Sequence, residues 1–546
     1  MLFDGFRNAI GQHVWQRKYA HEGCESWEKM CVVLVNEVCL EMHKDEREKL
    51  IKFMQKKKFL PGGRYIYYAG RKLKYYNNCF LCLSKEDTRE SWVELVRKVT
   101  SALMSGGGVG NDYSVYRPEN TPLKRTGGIA SGPLSLMHMV NEIGRYVQQG
   151  GSRRSAIWAG LKWSHADAPK LLTVKDWNSQ YVEGTGKTVG DLKQEDFNYK
   201  APLDCTNISL LYDTAWLEAY KKTGKVGDIF LKNVEMAMRN GEPGFSFNFY
   251  DKEHETARNA CCEVTSEDDS DVCNLGSINL AEIENTWEMV EVVKLATKFL
   301  ICGTLRAQLP YEKVYDIREK NRRLGLGLMG IHEWLLRRGH RYEVVPELHK
   351  WLEVYRDVSD QVADSFSDEL GISRPVAKRA IAPTGSIGIL AGTSTGIEPI
   401  FSVAYKRRYL SNQKWTYEYV IDSTAKYLIE TVGIPPERIE TSIDLAQDYE
   451  RRIKFQYDVQ KYVDMSISST INLPRWGSEH NNADKVKDFA YTLAKYAHGL
   501  RGFTCYPDGA RGGQPITPCS YEEACAKEGQ VFVEAHDMCK GGVCGS

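Results

Sequence analysis

Two short runs of polar residues and cysteines stand near the middle of this sequence: Arg258-Asn259-Ala260-Cys261-Cys262-Glu263 and Cys273-Asn274-Leu275-Gly276-Ser277. Asn259, Cys261 and Glu263 alternate, so on an extended backbone their side chains would point the same way. A thiol between an amide and a carboxylate suits chemistry on a polar substrate, and a second thiol downstream suggests that electrons are delivered as a disulfide forms. Buried cysteines are also common small hydrophobes, and this stretch alone leaves both interpretations open.

Composition sets limits on the class of protein. The chain has 546 residues, of which 42% are hydrophobic and 26% are charged, which is typical of globular proteins. The net charge is zero and no basic block stands out. We therefore expect no nucleic-acid polymer as a partner, whereas a single nucleotide needs only a few N–H groups and one or two arginines.

The cellular location is predicted from the absence of membrane-span and signal-peptide patterns in the sequence. No apolar run approaches the length of a membrane span, and the first residues do not have the layout of a signal peptide. Fifteen cysteines without a secretion signal are expected to be reduced thiols. No Cys/His cluster has zinc spacing, so we expect no protein-bound metal. These features predict a cytoplasmic protein without contact to a membrane.

Hydrophobic periodicity predicts the main elements. Helices are expected after Ser26 and over residues 44–58, 90–105 and 133–148. Residues 65–68 and 78–81 are typical of short strands, and the glycine run 106–110 is expected to end a helix and begin a loop. After residue 200, strand-like segments alternate with helical ones, which favours an α/β core with parallel strands.

Three further segments are candidates for function. Residues 150–154 form a loop with two guanidinium groups, for which an ordinary charged surface loop is the alternative. Residues 383–387 read Pro-Thr-Gly-Ser-Ile and can aim N–H groups at a phosphate, although an ordinary turn has similar composition. Cys539 and Cys544 stand on a glycine-rich terminal segment with little to pack against, which favours a redox role.

Taken together, these motifs resemble the catalytic subunit of ribonucleotide reductases, most closely the adenosylcobalamin-dependent class II enzymes. The resemblance extends from about Trp27 to the C-terminus. Any one motif is a weak signal, but ten in the family's order are highly specific. They are PGGR at Pro61, NNCF at Asn77, GGGVG at Gly106, GGSRRSA at Gly150, NxCxE at Asn259, CNLGSINL at Cys273, PTGSI at Pro383, TGIEPIF at Thr395, TCYPDGAR at Thr504 and the tail cysteine pair.

The resemblance implies the fold and the residues of the reaction. It implies a ten-stranded α/β barrel over residues 61–520, preceded by a helical region over residues 1–60, with the radical cysteine on a loop in the barrel's centre. Cys261 would be the thiyl radical that takes the 3′-hydrogen of a ribonucleotide substrate. Glu263 would be the base at the 3′-hydroxyl, and Asn259 would hold the sugar hydroxyls.

The resemblance also assigns the electron donors. Cys79 and Cys273 would reduce the 2′-carbon and become a disulfide. Cys539 and Cys544, on a flexible redox tail over residues 521–546, would then reduce that disulfide by exchange. A thioredoxin-like or glutaredoxin-like protein would in turn reduce the tail.

Binding sites for the substrate and for a deoxynucleotide effector follow from the same resemblance. The substrate site would comprise Gly62, Asn78, Gly108, Pro383, Thr384, Gly385, Ser386 and Ile387. The effector site, within the helices of about 87–156, would comprise Asp87, Arg117, Arg125, Gly151, Arg153 and Arg154. In the family, the effector lies between two subunits or beside an insertion. This chain has no insertion between Cys79 and Gly106, so we expect a homodimer through helices 90–105 and 133–148.

The chain departs from the family at a few positions. Ala260 and Cys262 stand where proline and glycine are usual, and Cys273 is one residue farther from Cys261 than is typical. The radical-relay class, which has a separate metal subunit, carries an adjacent tyrosine pair near its C-terminus. Here the corresponding region, residues 503–507, contains a single tyrosine. The tail has a dithiol in place of the glycyl-radical motif. These features favour class II, with adenosylcobalamin as the cofactor.

Three alternatives remain open at this stage. The chain would be a class I-type large subunit that needs a separate radical-generating subunit, a thiol-disulfide oxidoreductase without radical chemistry, or a non-catalytic nucleotide-binding regulator. The intact Asn-x-Cys-x-Glu set argues against the last two. The sequence does not decide between nucleoside diphosphate and triphosphate substrates.

Overall fold

The computed structural model describes residues 5–147, 155–196, 198–411, 414–510, 516–528 and 530–533. Within these ranges the strands are β1 (Phe59–Pro61), β2 (Cys79–Leu83), β3 (Gly108–Asp112), β4 (Ile157–Lys162), β5 (Tyr181–Val182), β6 (Lys187–Thr188), β7 (Thr206–Tyr212), β8 (Gly244–Phe247), β9 (Ala257–Arg258), β10 (Thr265–Ser266), β11 (Asp271–Asn279), β12 (Leu324–Met329), β13 (Ala404–Ser411), β14 (Lys414–Ile421), β15 (Thr470–Leu473), β16 (Gly502–Pro507), β17 (Ile516–Pro518) and β18 (Val531–Val533).

The α-helices of the same ranges lie mostly between these strands. They are α1 (Ala9–Lys18), α2 (Trp27–Val38), α3 (Lys44–Gln55), α4 (Gly63–Tyr68), α5 (Arg89–Ser105), α6 (Gly132–Tyr146), α7 (Ala168–Thr173), α8 (Val189–Glu195), α9 (Thr214–Thr223), α10 (Asp228–Asn240), α11 (Thr286–Arg306), α12 (Glu312–Asn321), α13 (Ile331–Arg337), α14 (Pro346–Leu370), α15 (Gly385–Ala391), α16 (Ser423–Tyr427), α17 (Ser442–Leu445), α18 (Tyr449–Gln460), α19 (Val486–Ala497) and α20 (Tyr521–Lys527).

The central sheet has ten strands, in the order β1-β11-β2-β3-β4-β7-β8-β16-β15, with β12 also paired to β11. Strands β2, β3, β4, β7 and β8 run parallel to one another, as the alternation of strands and helices predicts. Strand β11 joins two parts of the sheet, because it pairs antiparallel with β1 and β2 and parallel with β12. The ten-stranded α/β fold predicted from the sequence is thus confirmed.

Helices from the N-terminal region and from the middle of the sequence cover one part of the sheet. The predicted helix after Ser26 is α2, and the Ser26 hydroxyl accepts a hydrogen bond from the Lys29 N–H as its N-cap. The apolar faces of α2, α3, α11 and α14 pack into one large core against β1 and β12. A separate four-stranded sheet, in the order β17-β13-β14-β18, lies beside α20. In the part of the chain that the structure describes, no helix is long and apolar enough to cross a membrane.

The strand predicted over residues 65–68 is wrong, because these residues form helix α4. Tyrosine and isoleucine favour strands when half-buried on a sheet, which explains the prediction. Here the preceding glycine allows a turn into a helix, and the helix buries Tyr65 and Ile66. The Tyr65 ring stacks on Tyr76 with ring centroids 4.5 Å apart. Tertiary packing overrides the local preference at this point.

The loop predicted over residues 106–110 is also partly wrong, because strand β3 begins at Gly108. Gly106 ends helix α5 with φ +93°, which only glycine adopts readily. A side chain on Gly110 would place its Cβ 2.2 Å from the carbonyl oxygen of Arg258. The glycines are therefore needed because another segment of backbone crosses the strand at close range, and not because the chain forms a loop.

Candidate functional site

The segment that crosses β3 is a loop of residues 259–264, here called the finger loop. Strands β9 and β10 pair antiparallel at its base. The finger loop is a tight turn, in which the Cys262 N–H donates to the Asn259 carbonyl at 3.1 Å and Cys262 adopts φ +66°. Asn259, Cys261 and Glu263 converge on one cavity, as the sequence predicts. This turn, and not extended alternation, brings the three side chains together.

Arg258 anchors the base of the finger loop. Its guanidinium is fully buried and donates to Ser246 Oγ at 3.0 Å, to Asn248 Oδ1 at 2.8 Å and to the Arg501 carbonyl at 2.9 Å. Burial, and then the neighbouring charge of Arg501, lowers the pKa of Arg258 to about 9. A buried cation held by several fixed acceptors gives the loop little freedom to move.

Two cysteines face each other on neighbouring strands beside the finger loop. Cys79 of β2 is paired in register with Cys273 of the antiparallel strand β11. Both side chains belong to the same interior cluster, together with Leu81 and Leu275, whereas Phe80 and Cys82 face the outer core. Directly opposed residues on antiparallel strands have Cα atoms about 4.5–5.5 Å apart, a separation that a disulfide can span.

A hydrogen-bond chain links this cysteine pair to the finger loop. The Asn259 side-chain N–H donates to Cys79 Sγ at 3.0 Å, and the Cys79 thiol donates to Glu263 Oε1 at 3.7 Å. The Val264 N–H donates to Asn259 Oδ1 at 3.0 Å, which fixes the orientation of that amide. The amide, one thiol and the carboxylate therefore form a single network in the interior.

The acid–base properties of the site are set by burial. Burial raises the pKa of Glu263 above its ordinary value, and the neighbouring Asn259 amide offsets part of that rise. Burial also raises the pKa of Cys79, Cys261 and Cys273 well above the usual thiol range, with Glu263 as a further cause for Cys79 and Cys261. The Cys261 side chain is exposed to the cavity, yet the dense protein around it still disfavours a thiolate. All three cysteines are therefore neutral S–H groups.

The cavity at the finger loop has a volume of about 260 Å³ and contains every residue predicted to bind substrate. Two buried acceptors at its wall, Asn78 Oδ1 and Glu263 Oε2, have no hydrogen-bond partner among the described residues. Buried acceptors of this kind are usually satisfied, so these two oxygens are available to a ligand that brings donors such as hydroxyl groups. The lining consists of Gly62, Gly63, Asn78, Cys79, Gly106, Gly108, Ala156, Asn259, Ala260, Cys261, Glu263, Leu275, Gly276, Ser277 and residues 382–387.

The predicted phosphate loop lies at one end of this cavity. Thr384 adopts φ +52° and its hydroxyl accepts from the Gly396 N–H at 2.8 Å, which holds the turn. Helix α15 follows at once, so Gly385, Ser386 and Ile387 occupy its first turn, not an irregular loop. First-turn N–H groups have no acceptor within their helix, and here they stand at the cavity wall.

Some residues that line the cavity were not predicted from the sequence. Leu275 and Ser277 line the cavity beside Cys79, although only Cys273 of the same strand was predicted. Their alternation along β11 was a usable signal, because residues two apart on a strand share a face. Ala156 and Ala260 carried no such signal. They matter through their small size, since a Cβ on Gly108 would lie 2.9 Å from the Ala260 Cβ.

The predicted effector residues are only partly brought together. Arg117 Nε donates to Asp87 Oδ2, and its Nη2 donates to the Asp87 carbonyl at 3.3 Å. This ion pair lies just before α5, whose N-cap is Thr88. Arg125 is exposed on a separate turn between β3 and α6. Gly151, Arg153, Arg154, Cys539 and Cys544 lie outside the described residues.

Comparison with known proteins identifies the family. The model of the ribonucleotide reductase barrel domain matches residues 77–349 and 374–506. A vitamin B12-dependent ribonucleoside-diphosphate reductase of Thermoplasma acidophilum is 27% identical over 527 residues, covering 87% of this chain and 66% of that protein. An adenosylcobalamin-dependent ribonucleoside-triphosphate reductase of Euglena gracilis is 25% identical over 487 residues, covering 81% of this chain and 62% of that protein.

A solved structure agrees with the fold. The α subunit of a class Id ribonucleotide reductase from Actinobacillus ureae has a TM-score of 0.71 at 16% identity, covering 94% of this chain and 99% of that one. The chain spans about two thirds of the length of the two curated relatives above. Because the barrel-domain model covers most of the chain, including the finger loop and both opposed cysteines, the chain belongs to the ribonucleotide reductase family.

Proposed function

We propose that this chain is the catalytic subunit of a ribonucleotide reductase and converts ribonucleotides to 2′-deoxyribonucleotides. The observation that carries the proposal is a single cavity that joins Cys261, the Asn259–Cys79–Glu263 network and the phosphate loop. A ribonucleotide has the matching parts. Its sugar hydroxyls offer donors to the unpaired oxygens of Asn78 and Glu263, and its phosphates fit the first turn of α15.

The cysteine pair supplies the electrons. Reduction of the 2′-carbon breaks its C–O bond and forms a C–H bond. Two thiol S–H bonds break, one disulfide forms, and the hydroxyl leaves as water. The register of Cys79 opposite Cys273 allows this disulfide without movement of the strands, and their raised pKa values keep both hydrogens on sulfur. Repeated reduction of the disulfide suits the cytoplasm, where we place the protein.

Glu263 is the proton carrier of the proposed reaction. Its Oε1 already accepts from the Cys79 thiol, and its Oε2 is open to a sugar hydroxyl. Burial raises its pKa toward the working pH, where a carboxyl group both takes and returns a proton efficiently. Asn259 keeps the network aligned, because its amide contacts Cys79 and the backbone of Val264.

The residues around Cys261 fit adenosylcobalamin as the radical source. The names of the two curated relatives support this cofactor. When bound, adenosylcobalamin would supply the radical chemistry, and Cys261 would be the thiol that gives up its hydrogen atom. Cys261 suits that role because burial keeps its proton on sulfur, and because it is exposed in a cavity whose other lining residues include the small Gly108, Ala156 and Ala260. The single tyrosine of residues 503–507 likewise favours a cofactor over a tyrosine relay.

Adenosylcobalamin alone is expected to support turnover without a second protein subunit. The purified chain would be assayed anaerobically for deoxynucleotide from CDP and from CTP, with a small dithiol as reductant. Each source of radical would be supplied in turn, and the matched control is cobalamin without its adenosyl group. Product that forms only after addition of a metal-containing partner subunit would contradict class II. No product with any radical source would contradict the proposed reaction.

A homodimer with an effector site at its interface is the second part of the proposal. Four large apolar side chains are exposed on the packed helices α5 and α6: Val93 by 71%, Met104 by 63%, Met139 by 52% and Tyr146 by 71%. Val93 and Met104 are eleven residues apart on α5, and Met139 and Tyr146 are seven apart on α6. Both spacings are close to whole numbers of helical turns, so each pair shares one face of its helix. The Asp87–Arg117 pair begins the same region. Its carboxylate and guanidinium suit the sugar and phosphate of a deoxynucleotide.

Val93→Asp is expected to convert the dimer to a monomer and to abolish the response to deoxynucleotide effectors. A carboxylate introduced into an apolar interface has to be desolvated, whereas at an exposed site it does not disturb the fold. Light scattering at working concentration measures the mass. Val376→Asp is the matched control, because Val376 is also exposed but lies outside these helices. A wild-type monomer with a normal effector response would contradict the idea.

A further inference from the structure

Helix α1 lies along the helix that follows the phosphate loop. The two helices are in contact, and three contacts along them, Arg7 with Gly392, Gly11 with Ile389 and Lys18 with Ser386, show that they run antiparallel. Arg7, just before α1, donates to the Gly392 carbonyl at 2.8 Å, at the C-terminal end of α15. A Cβ on Gly11 would lie 3.0 Å from the Ile389 carbonyl oxygen, so the helices touch closely in their middle. The last residue of α1, Lys18, therefore stands at the beginning of α15.

Lys18 makes a direct contact with the cavity wall. Its Nζ donates to Ser386 Oγ at 2.9 Å. Ser386 lines the cavity and was predicted to bind substrate phosphate. A serine hydroxyl has one O–H donor and two acceptor positions. With Lys18 on an acceptor position, the Ser386 O–H is left to donate toward the cavity.

The contact between Lys18 and Ser386 matters because the cavity lining carries little positive charge of its own. Among the described residues that line it, none is a lysine or an arginine, and Glu263 is the carboxylate. A nucleotide with two or three phosphates is a polyanion, and neutral dipoles alone hold a polyanion weakly beside a carboxylate. Lys18 is a cation in direct contact with a lining residue. Arg64 lies near Gly106, which also lines the cavity, but it donates to the backbone carbonyls of Ser105 and Tyr75.

Helix α1 is also held firmly enough to position a charge. Arg7 bonds the buried carboxylate of Glu333 at 2.8 Å and also pairs with Glu282. The Asn8 side chain accepts from the Gly11 N–H at 2.8 Å and caps the helix. This segment precedes the part of the chain that the barrel-domain model matches, which begins at residue 77. Its contact with the phosphate loop is therefore a feature of this chain that the family match does not include.

We propose that Lys18 is a positioning residue for substrate binding, which brings positive charge to the nucleotide phosphates through the Ser386 hydroxyl. This inference rests on the proposed function, because it assumes that the cavity takes a nucleotide. Helix α1 is on this view part of the active site. The role of Lys18 is in binding and not in the chemical steps at the sugar, since Lys18 acts at the phosphate end of the cavity.

Equilibrium binding of CDP and cytidine separates the contribution of the phosphate charge from that of the nucleoside. Binding of CDP and of cytidine would be measured by equilibrium dialysis for the wild type, Lys18→Met, Lys18→Gln and Lys18→Arg. Loss of a charge-assisted contact is expected to weaken CDP binding by about 10- to 100-fold. Cytidine, which lacks phosphate, should bind all variants equally, and Lys18→Arg should retain most of the CDP affinity. Arg17→Met is the matched control, because Arg17 is the exposed neighbouring cation on α1.

Turnover and stability complete the test. Lys18→Met should raise KM for CDP by a similar factor and leave kcat nearly unchanged, with an unaltered thermal unfolding curve. Unchanged CDP affinity in Lys18→Met, or equal loss of CDP and cytidine binding, would overturn the proposal, as would a wild type that does not bind CDP. A wild type that binds CDP but forms no deoxynucleotide would contradict the proposed reaction alone, because dialysis measures the role of Lys18 without turnover.

Discussion

Cys261→Ser is expected to form no deoxynucleotide at all, not even in a first turnover, with either a protein reductant or a small dithiol. The hydroxyl has nearly the same shape as the thiol, and the side chain faces the cavity, so the barrel should fold normally. An oxygen-centred radical is far harder to generate than a thiyl radical, so the hydrogen transfer that starts the reaction would stop. Rapid quench of single turnovers measures the product formed per active site.

Cys262→Ser is the matched control for this experiment. Cys262 is the adjacent thiol, but it is half-buried beside Arg258 and does not line the cavity. Serine is expected to adopt its φ of +66° at no greater strain than cysteine, so the first product should form in full. If Cys261→Ser yielded a full first product, or if Cys262→Ser yielded none, the assignment of the radical to Cys261 would be wrong.

Motifs in the sequence named residues that the structure gathers around one cavity, but part of the backbone that holds them was predicted wrongly. Residues around the finger loop are separated by up to several hundred positions, yet short motifs sufficed to name them, because their chemistry requires particular side chains. Residues 65–68 and 108–110 were predicted in the wrong local structure. Their propensities favour a strand and a loop, and contacts with distant parts of the chain reverse both preferences. Such contacts are not visible in a single sequence.

The proposed role of Lys18 could not be predicted from the sequence for the same reason. Nothing in the run Gln16-Arg17-Lys18 distinguishes a binding residue from the basic last turn that many helices have. Its proposed role depends on the close packing of α1 on α15. Gly11 allows the two helices to approach closely, and Arg7 fixes the start of α1 to the end of α15. Leu275 and Ser277 are a different case, because the alternation of β11 already indicated that they share a face with Cys273.

Replacement of both Cys539 and Cys544 by serine is expected to leave the first turnover intact and to block the following ones. The disulfide between Cys79 and Cys273 would form once, inside the interior cluster, where a protein reductant cannot reach it. With thioredoxin as reductant, the double variant should stop after about one product per active site, because no thiolate reaches that disulfide. Product counted against the concentration of active sites measures this limit.

A small dithiol provides the internal control, because it enters the cavity and reduces the disulfide directly. It should restore part of the turnover in the double variant and none in Cys261→Ser. Cys525→Ser is a matched substitution of an exposed cysteine on α20, upstream of Cys539 and Cys544, and should turn over normally with thioredoxin. Normal turnover of the tail variant with thioredoxin would mean that the reductant acts on Cys79 and Cys273 by another route. Loss of its first product would place the tail cysteines in the reaction at the sugar.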